Sequence, residues 1–240
     1  MFYFGEGVFI LKTLVSLHLP KTAGESFAKT LYDFYGKKLT KDYADYPVNT
    51  PVQDRNRQAI QCAIANNDQN TISLSRCIHG HFLPVKYLQF QNVEQDNDRA
   101  FITWMRNPVD RLISHYYYWI ERSSLKSHAP LHQRVVEEKW SLEKFCLAPE
   151  LQNLYEQFLW GFPIRYFDFI GITEHYQSDL KYFSSKYLDE NSKEYSENRR
   201  AMLKNEYSIS DSLREKIVLF HAKDIELYRR ACEMRLLRLK

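Results

Sequence analysis

Residues 8–19 run almost unbroken in apolar and β-branched side chains between Gly7 and Pro20, the pattern of a strand buried on both faces. Residues 25–35, ESFAKTLYDFY, then put Phe27, Leu31 and Phe34 or Tyr35 at helical spacing. Residues 37–55 are polar and interrupted by Pro47 and Pro51, which predicts a loop. A short helix is expected over 55–65, stopped by Asn66-Asn67-Asp68. Residues 71–78, TISLSRCI, predict a second strand running into HGHFLP, and residues 99–105, RAFITWM, predict a third. Arg106-Asn107-Pro108 closes it, and Pro108 suits the first position of a helix reaching about Glu121. A polar break is expected at 123–132, a mostly helical pattern over 133–160 and a last short strand at 166–172. A helix at 174–187 turns Leu180 and Phe183 inward; after a polar loop at 188–200, an amphipathic helix closes the chain over about 209–237.

Strands separated by helices predict a parallel α/β sheet covered on both faces. No internal repeat or boundary divides residues 1–240, so one domain is expected. Ligands of such sheets bind beyond the carboxyl ends of the strands. The loops after 8–19 and 99–105 are at such ends. The charge balance, 33 basic against 30 acidic residues, is too even for bulk nucleic-acid binding, so any anion site must be local. Cys62, Cys77, Cys146 and Cys232 lack CxxC pairing and metal-ligand spacing, which fits thiols in a reducing compartment. The apolar run VFILKTLVSLHL contains Lys12 and is too short to span a bilayer. A cytoplasmic protein without an integral membrane segment is expected.

Three segments carry candidate chemistry. In LPKTAGESF, residues 19–27, a strand turns into a helix over small residues, a form that aims backbone N–H groups at an anion. Gly24 permits close approach, Thr22 and Ser26 offer hydroxyls, and Lys21 adds a charge. The plainer alternative is a turn in which Thr22 caps the helix. The loop does not match G-x-x-x-x-G-K-[ST], so a nucleoside-triphosphatase loop is unsupported. In WMRNPVDRLISHYYYW, residues 104–119, Arg106 stands at a strand end, Arg111 is a second charge and Ser114 lies about two turns on. A guanidinium fork suits a phosphate dianion, although pairing of Arg106 with Asp110 is the alternative. In IHGHFLP, residues 78–84, His79 and His81 flank a glycine; they read as a general base with its neighbour, as a metal pair, or as surface residues. His18 and His115 read as core, helix-surface or loop residues.

Together these segments resemble sulfotransferases that use 3′-phosphoadenosine 5′-phosphosulfate (PAPS), especially the carbohydrate branch containing the uronyl 2-O-sulfotransferases. HLPKTAGESF, residues 18–27, resembles that family's 5′-phosphosulfate loop, H-[IL]-P-K-T-[AG]-G-[ST]-[ST]-[FL]. RNPVDRLISHYYY, residues 106–118, is similar to its 3′-phosphate motif, R-[DN]-P-[VY]-[ED]-R-x-x-S-x-[YF]. HGHF, residues 79–82, is similar to the segment with the catalytic histidine, and FDFIGITEHYQSDLKYF and Asp224-Ile225-Glu226-Leu227-Tyr228 resemble later family segments.

The resemblance implies a P-loop-like three-layer fold with a mostly parallel sheet. It implies sulfuryl transfer to a hydroxyl acceptor, on a saccharide by that likeness, with no metal. Lys21, Thr22, Ala23, Gly24, Glu25, Ser26 and Phe27 would form the phosphosulfate loop, and Arg106 and Ser114 would hold the 3′-phosphate. Lys21 would neutralise charge on the leaving oxygen, and His81 would take the acceptor proton with His79 as supporter or substitute. Two positions depart from the pattern: Glu25 replaces a small hydroxyl residue, and Gln157 stands where many relatives carry arginine. Tyr116, Tyr117, Trp119 and Trp160 are candidate sugar-stacking surfaces, or core aromatics. A phosphoryl-transfer enzyme such as a nucleotide kinase, and a non-catalytic nucleotide- or glycan-binding protein of the same fold, are the rival readings.

Overall fold

The computed structural model describes residues 12–43, 50–65, 75–88, 99–122, 129–188 and 209–240. Five parallel strands form one sheet in the order β2-β3-β1-β4-β5: β1 (Thr13–Leu17), β2 (Leu39–Asp42), β3 (Cys77–Gly80), β4 (Arg99–Met105) and β5 (Phe169–Ile172). In the central register Leu17 lies between Gly80 and Thr103. The carboxyl ends of β3, β1 and β4 therefore finish side by side.

Alternation along β1 separates two covering layers. Leu14 packs with Phe27 and Leu31 of α1 (Gly24–Tyr35) and Phe183 of α7 (Tyr176–Tyr187). Val15 and Leu17 face the opposite cluster, which includes Tyr155 and Phe158 of α6 (Leu154–Phe158) and Ala231 of α9 (Ala222–Arg238). A third cluster joins α3 (Pro108–Glu121), α4 (Pro130–Glu137), α5 (Leu142–Cys146) and α8 (Asp211–Phe220). The remaining helix, α2 (Val52–Ala65), packs Ala59 under Leu83 and Val85. This is the expected three-layer, P-loop-like α/β arrangement.

The structure departs from the sequence expectation at identifiable places. β2 forms inside the stretch expected to be loop; its four residues include a single leucine, and as an edge strand it needs no apolar alternation. β3 is shifted toward the C-terminus and takes in His79 and Gly80. A Cβ on Gly80 would sit 1.5 Å from the Asp42 carbonyl oxygen, so the glycine lets β2 dock. The closing helix is two helices, because His221 leaves the helical path and buries its ring. The helical pattern over 133–160 is likewise cut by left-handed Lys139 and Asn153 and by Pro149. Residues 8–11, Asn66-Asn67-Asp68, residues 71–74 and most of the 188–200 loop lie outside the described residues.

Candidate active site

From β1 the chain turns first toward β2 and β3 and later crosses to β4, so the loops after β1 and β4 diverge around a topological switch point. The loop after β1 is wound tightly. Lys21 and Ala23 both adopt left-handed φ, 65° and 66°, and no side chain caps the N-terminus of α1. Each left-handed residue costs roughly 1–2 kcal/mol. What results is a concave run of backbone N–H groups ending on an open helix N-terminus.

Two contacts hold that shape. The Thr22 hydroxyl, buried, donates to the Leu19 carbonyl at 2.8 Å, so it is used inside the loop and is not free for a ligand. Gly24 is fixed by the His18 ring: a Cβ there would lie 1.8 Å from Nε2. Phe27 is fully buried between Trp104 and Phe183, with ring centroids 5.4 and 5.0 Å away, and its N–H is bonded to the Ala23 carbonyl. It anchors the helix. Ser26 and Glu25 are exposed.

The Lys21 ammonium lies 3.7 Å from the centroid of the Tyr118 ring, a cation–π contact. Burial lowers its pKa, with the Glu25 carboxylate opposing and the Arg106 guanidinium adding to the shift. Lys21 and Arg106, 85 positions apart, are thus brought within electrostatic reach. Ser114 and Tyr118 are four residues apart on α3, so they share the helix face that meets Lys21.

Arg106 is held through its backbone. The Tyr155 hydroxyl accepts from the Arg106 N–H at 3.1 Å and donates to the Arg106 carbonyl at 2.7 Å. Asn107 caps α3 through Val109 N–H at 3.0 Å, and Asn107 N–H donates to Glu174 at 2.7 Å. No ion pair joins Arg106 to Asp110 among the described residues. Arg111 goes elsewhere: it is wholly buried, 5.3 Å from the Tyr155 ring, and among the described residues its three guanidinium nitrogens have no hydrogen-bond partner.

Three histidines gather at the ends of β1 and β3. His18 stacks on His79, at 5.2 Å, and meets His81 at a tilt, at 4.5 Å. Sequence reading gave His18 no role; the available signal was its place between the strand and the loop. His79 is 1% exposed, with Nδ1 2.9 Å from the Ser16 hydroxyl, so a substrate does not reach it. His81 is half-buried, and its Nδ1 is hydrogen-bonded to the His18 carbonyl. A carbonyl only accepts, so Nδ1 carries the proton and Nε2 is the basic nitrogen. Burial pushes the pKa of His81 down to about 4, partly offset by that carbonyl, and of His79 to about 3. Both rings are neutral at physiological pH.

Gln157 donates to the Gln152 carbonyl at 2.8 Å and lies 3.5 Å from Nη1 of the buried Arg55. An arginine from α2 therefore reaches the position where Gln157 brings none. Of the aromatic candidates, Trp119 is core, the Tyr116 hydroxyl donates to the Trp140 carbonyl at 3.0 Å, and Trp160 is exposed. Among the described residues no cluster of three or more His, Cys, Asp or Glu side chains is disposed to hold a metal ion. No helix there is long and apolar enough to cross a membrane.

A family model described as the sulfotransferase family matches residues 11–178, more than half of the chain. No curated protein matches the chain. Among solved structures, a sulfotransferase from Alicyclobacillus acidocaldarius aligns at 12% identity and a TM-score of 0.45, covering 90% of this chain and 93% of that one. Mouse sulfotransferase SULT7A1 complexed with PAP aligns at 14% identity and a TM-score of 0.36, covering 86% of this chain and 62% of that one.

Proposed function

Because the chain belongs to the sulfotransferase family, we propose that it moves the sulfuryl group of 3′-phosphoadenosine 5′-phosphosulfate to an acceptor hydroxyl on a carbohydrate. The observation that carries this reading is the meeting of three groups at adjacent strand ends: the Lys21–Ser26 loop, whose helix no side chain caps, the Arg106 guanidinium, and His81 with its Nδ1 on the His18 carbonyl. The donor supplies an activated sulfuryl group on a phosphate leaving group.

The residues present fit such a donor. The left-handed loop and open helix end are N–H donors suited to a 5′-phosphosulfate. Arg106, with its backbone clamped by Tyr155, and Ser114 from the same helix face as Tyr118, suit a 3′-phosphate. In transfer, Nε2 of His81 takes the acceptor hydroxyl proton as its oxygen bonds to sulfur. The bond from sulfur to the bridging oxygen breaks. Lys21 and the loop N–H groups stabilise the charge that develops on that oxygen. The His18 carbonyl on Nδ1 favours the imidazolium that forms. His79, sealed beneath, supports the stack and takes no proton from substrate.

Calorimetric titration with adenosine 3′,5′-bisphosphate tests the donor assignment. Binding is expected in the wild type, weakened by Arg106→Ala. An Arg106→Ala variant that binds as the wild type does would remove the 3′-phosphate assignment.

A further inference from the structure

The carboxyl end of β2 carries an aromatic residue directly against the proposed base. Tyr43 is 45% exposed, its ring meets His81 edge-on at 4.8 Å and 86°, and its hydroxyl is 3.4 Å from His18 Nδ1. Its place is built into the fold. The preceding residue, Asp42, accepts from the Tyr87 hydroxyl at 2.6 Å and pairs with Lys86 at 2.8 Å, with both charged side chains largely buried. Across the mouth, Glu25 is exposed in the first turn of α1, within electrostatic reach of Lys21, Tyr43 and Tyr118. Lys21 lies against the Tyr118 ring on the donor side, and the exposed Tyr43 ring beside His81 is within electrostatic reach of the Glu25 carboxylate.

We infer that Tyr43 and Glu25 form the acceptor subsite, and that it selects a pyranose ring without a carboxylate, neutral or amine-bearing, over a uronate. An exposed aromatic face adjoining a base stacks on the apolar face of a sugar and turns one hydroxyl toward Nε2. The Glu25 carboxylate repels a uronate there and favours a neutral or cationic sugar; this repulsion acts against the wrong ligand as much as the stacking acts for the right one. It also gives a physical role to a residue that departs from the resembled motif. The inference rests on the proposed donor and base, and it departs from the uronyl acceptor of the branch that the sequence resembles.

Binding of methyl glucoside, methyl glucosaminide and methyl glucuronide is measured by ligand-observed NMR, with and without adenosine 3′,5′-bisphosphate. The glucoside and glucosaminide are expected to bind more tightly than the glucuronide. Tyr43→Ala is expected to weaken the glucoside about tenfold, the order of one lost aromatic face, while bisphosphate affinity holds. Glu25→Gln is expected to narrow the gap between glucoside and glucuronide about threefold or more. A glucuronide that binds best to the wild type, a Tyr43→Ala variant that binds the glucoside unchanged, or absence of binding by all three sugars overturns the inference. Sugar binding without bisphosphate binding leaves the subsite standing and overturns the donor assignment.

Discussion

Tyr155→Phe isolates the contact that fixes Arg106. The side chain is fully buried, so the substitution keeps the ring and its packing against Arg111 and removes only the hydroxyl. Two hydrogen bonds go with it, one to the Arg106 N–H at 3.1 Å and one to its carbonyl at 2.7 Å. At about 1 kcal/mol net each, the loss is about 2 kcal/mol. For a chain of this size that lowers Tm by roughly 4–8 °C. Urea denaturation reads it as a lower midpoint at constant slope. Because the freed peptide is the one that carries the Arg106 side chain, bisphosphate affinity falls too. Tyr116→Phe is the comparison: its hydroxyl donates to the Trp140 carbonyl at 3.0 Å, so about 1 kcal/mol is lost and bisphosphate affinity is kept. A Tyr155→Phe protein as stable as the wild type, with the same affinity, refutes the clamp.

Other outcomes follow from the site and its charges. Arg106→Ala chiefly weakens donor binding, by about 1.5–3 kcal/mol for a charge-assisted contact, which titration with the bisphosphate measures. With the His81 pKa at about 4, the base is neutral across the physiological range, so kcat/KM stays level from roughly pH 5.5 to 8; a half-loss centred near 6.5 would assign the base to a histidine that burial has not shifted. Stability depends on the same burial. His79, His81 and His221 have folded pKa values of about 3, 4 and 4, below their unfolded value. Protons bind the unfolded chain preferentially below pH 6.5, so stability falls as pH falls through that window, on the order of 1 kcal/mol per histidine between pH 7.5 and 5.5. Asp224 opposes this: burial raises its pKa to about 6, so its contribution is present at low pH and lost as pH rises through about 6. Burial also lowers the pKa of His18 and His115, so one carboxyl against five histidines leaves the acid side less stable, and denaturation midpoints at pH 5.5 and 7.5 check the sign.

The parts of the fold legible in sequence were those whose apolar pattern is also their burial pattern. β4 and α3 stand at the expected residues because RAFITWM is buried at every position and Pro108 opens the helix. β2 escaped because an edge strand of one leucine and three polar residues carries no such pattern. The break at His221 escaped because a ring bonded to Asn153 N–H and the Cys146 carbonyl is a tertiary event, 68 and 75 residues away in the chain. The site divides in the same way. Lys21, Arg106 and His81 were proposed from local motifs. His18, Tyr43 and the Tyr155 clamp depend on which strand ends lie side by side, and the order β2-β3-β1-β4-β5 is not written in any one segment. Thr22, in the loop after β1, and Phe27, in the first turn of α1, use their side chains to hold the loop.

In the proposed mechanism Lys21 and His81 act on one sulfuryl group. Transfer of radiolabelled sulfate from PAPS to a panel of sugar acceptors, by the wild type and by Lys21→Ala and His81→Ala, tests it most directly. Transfer by the wild type and none by either variant is expected, with both variants folded by circular dichroism. Full transfer by both variants would contradict it.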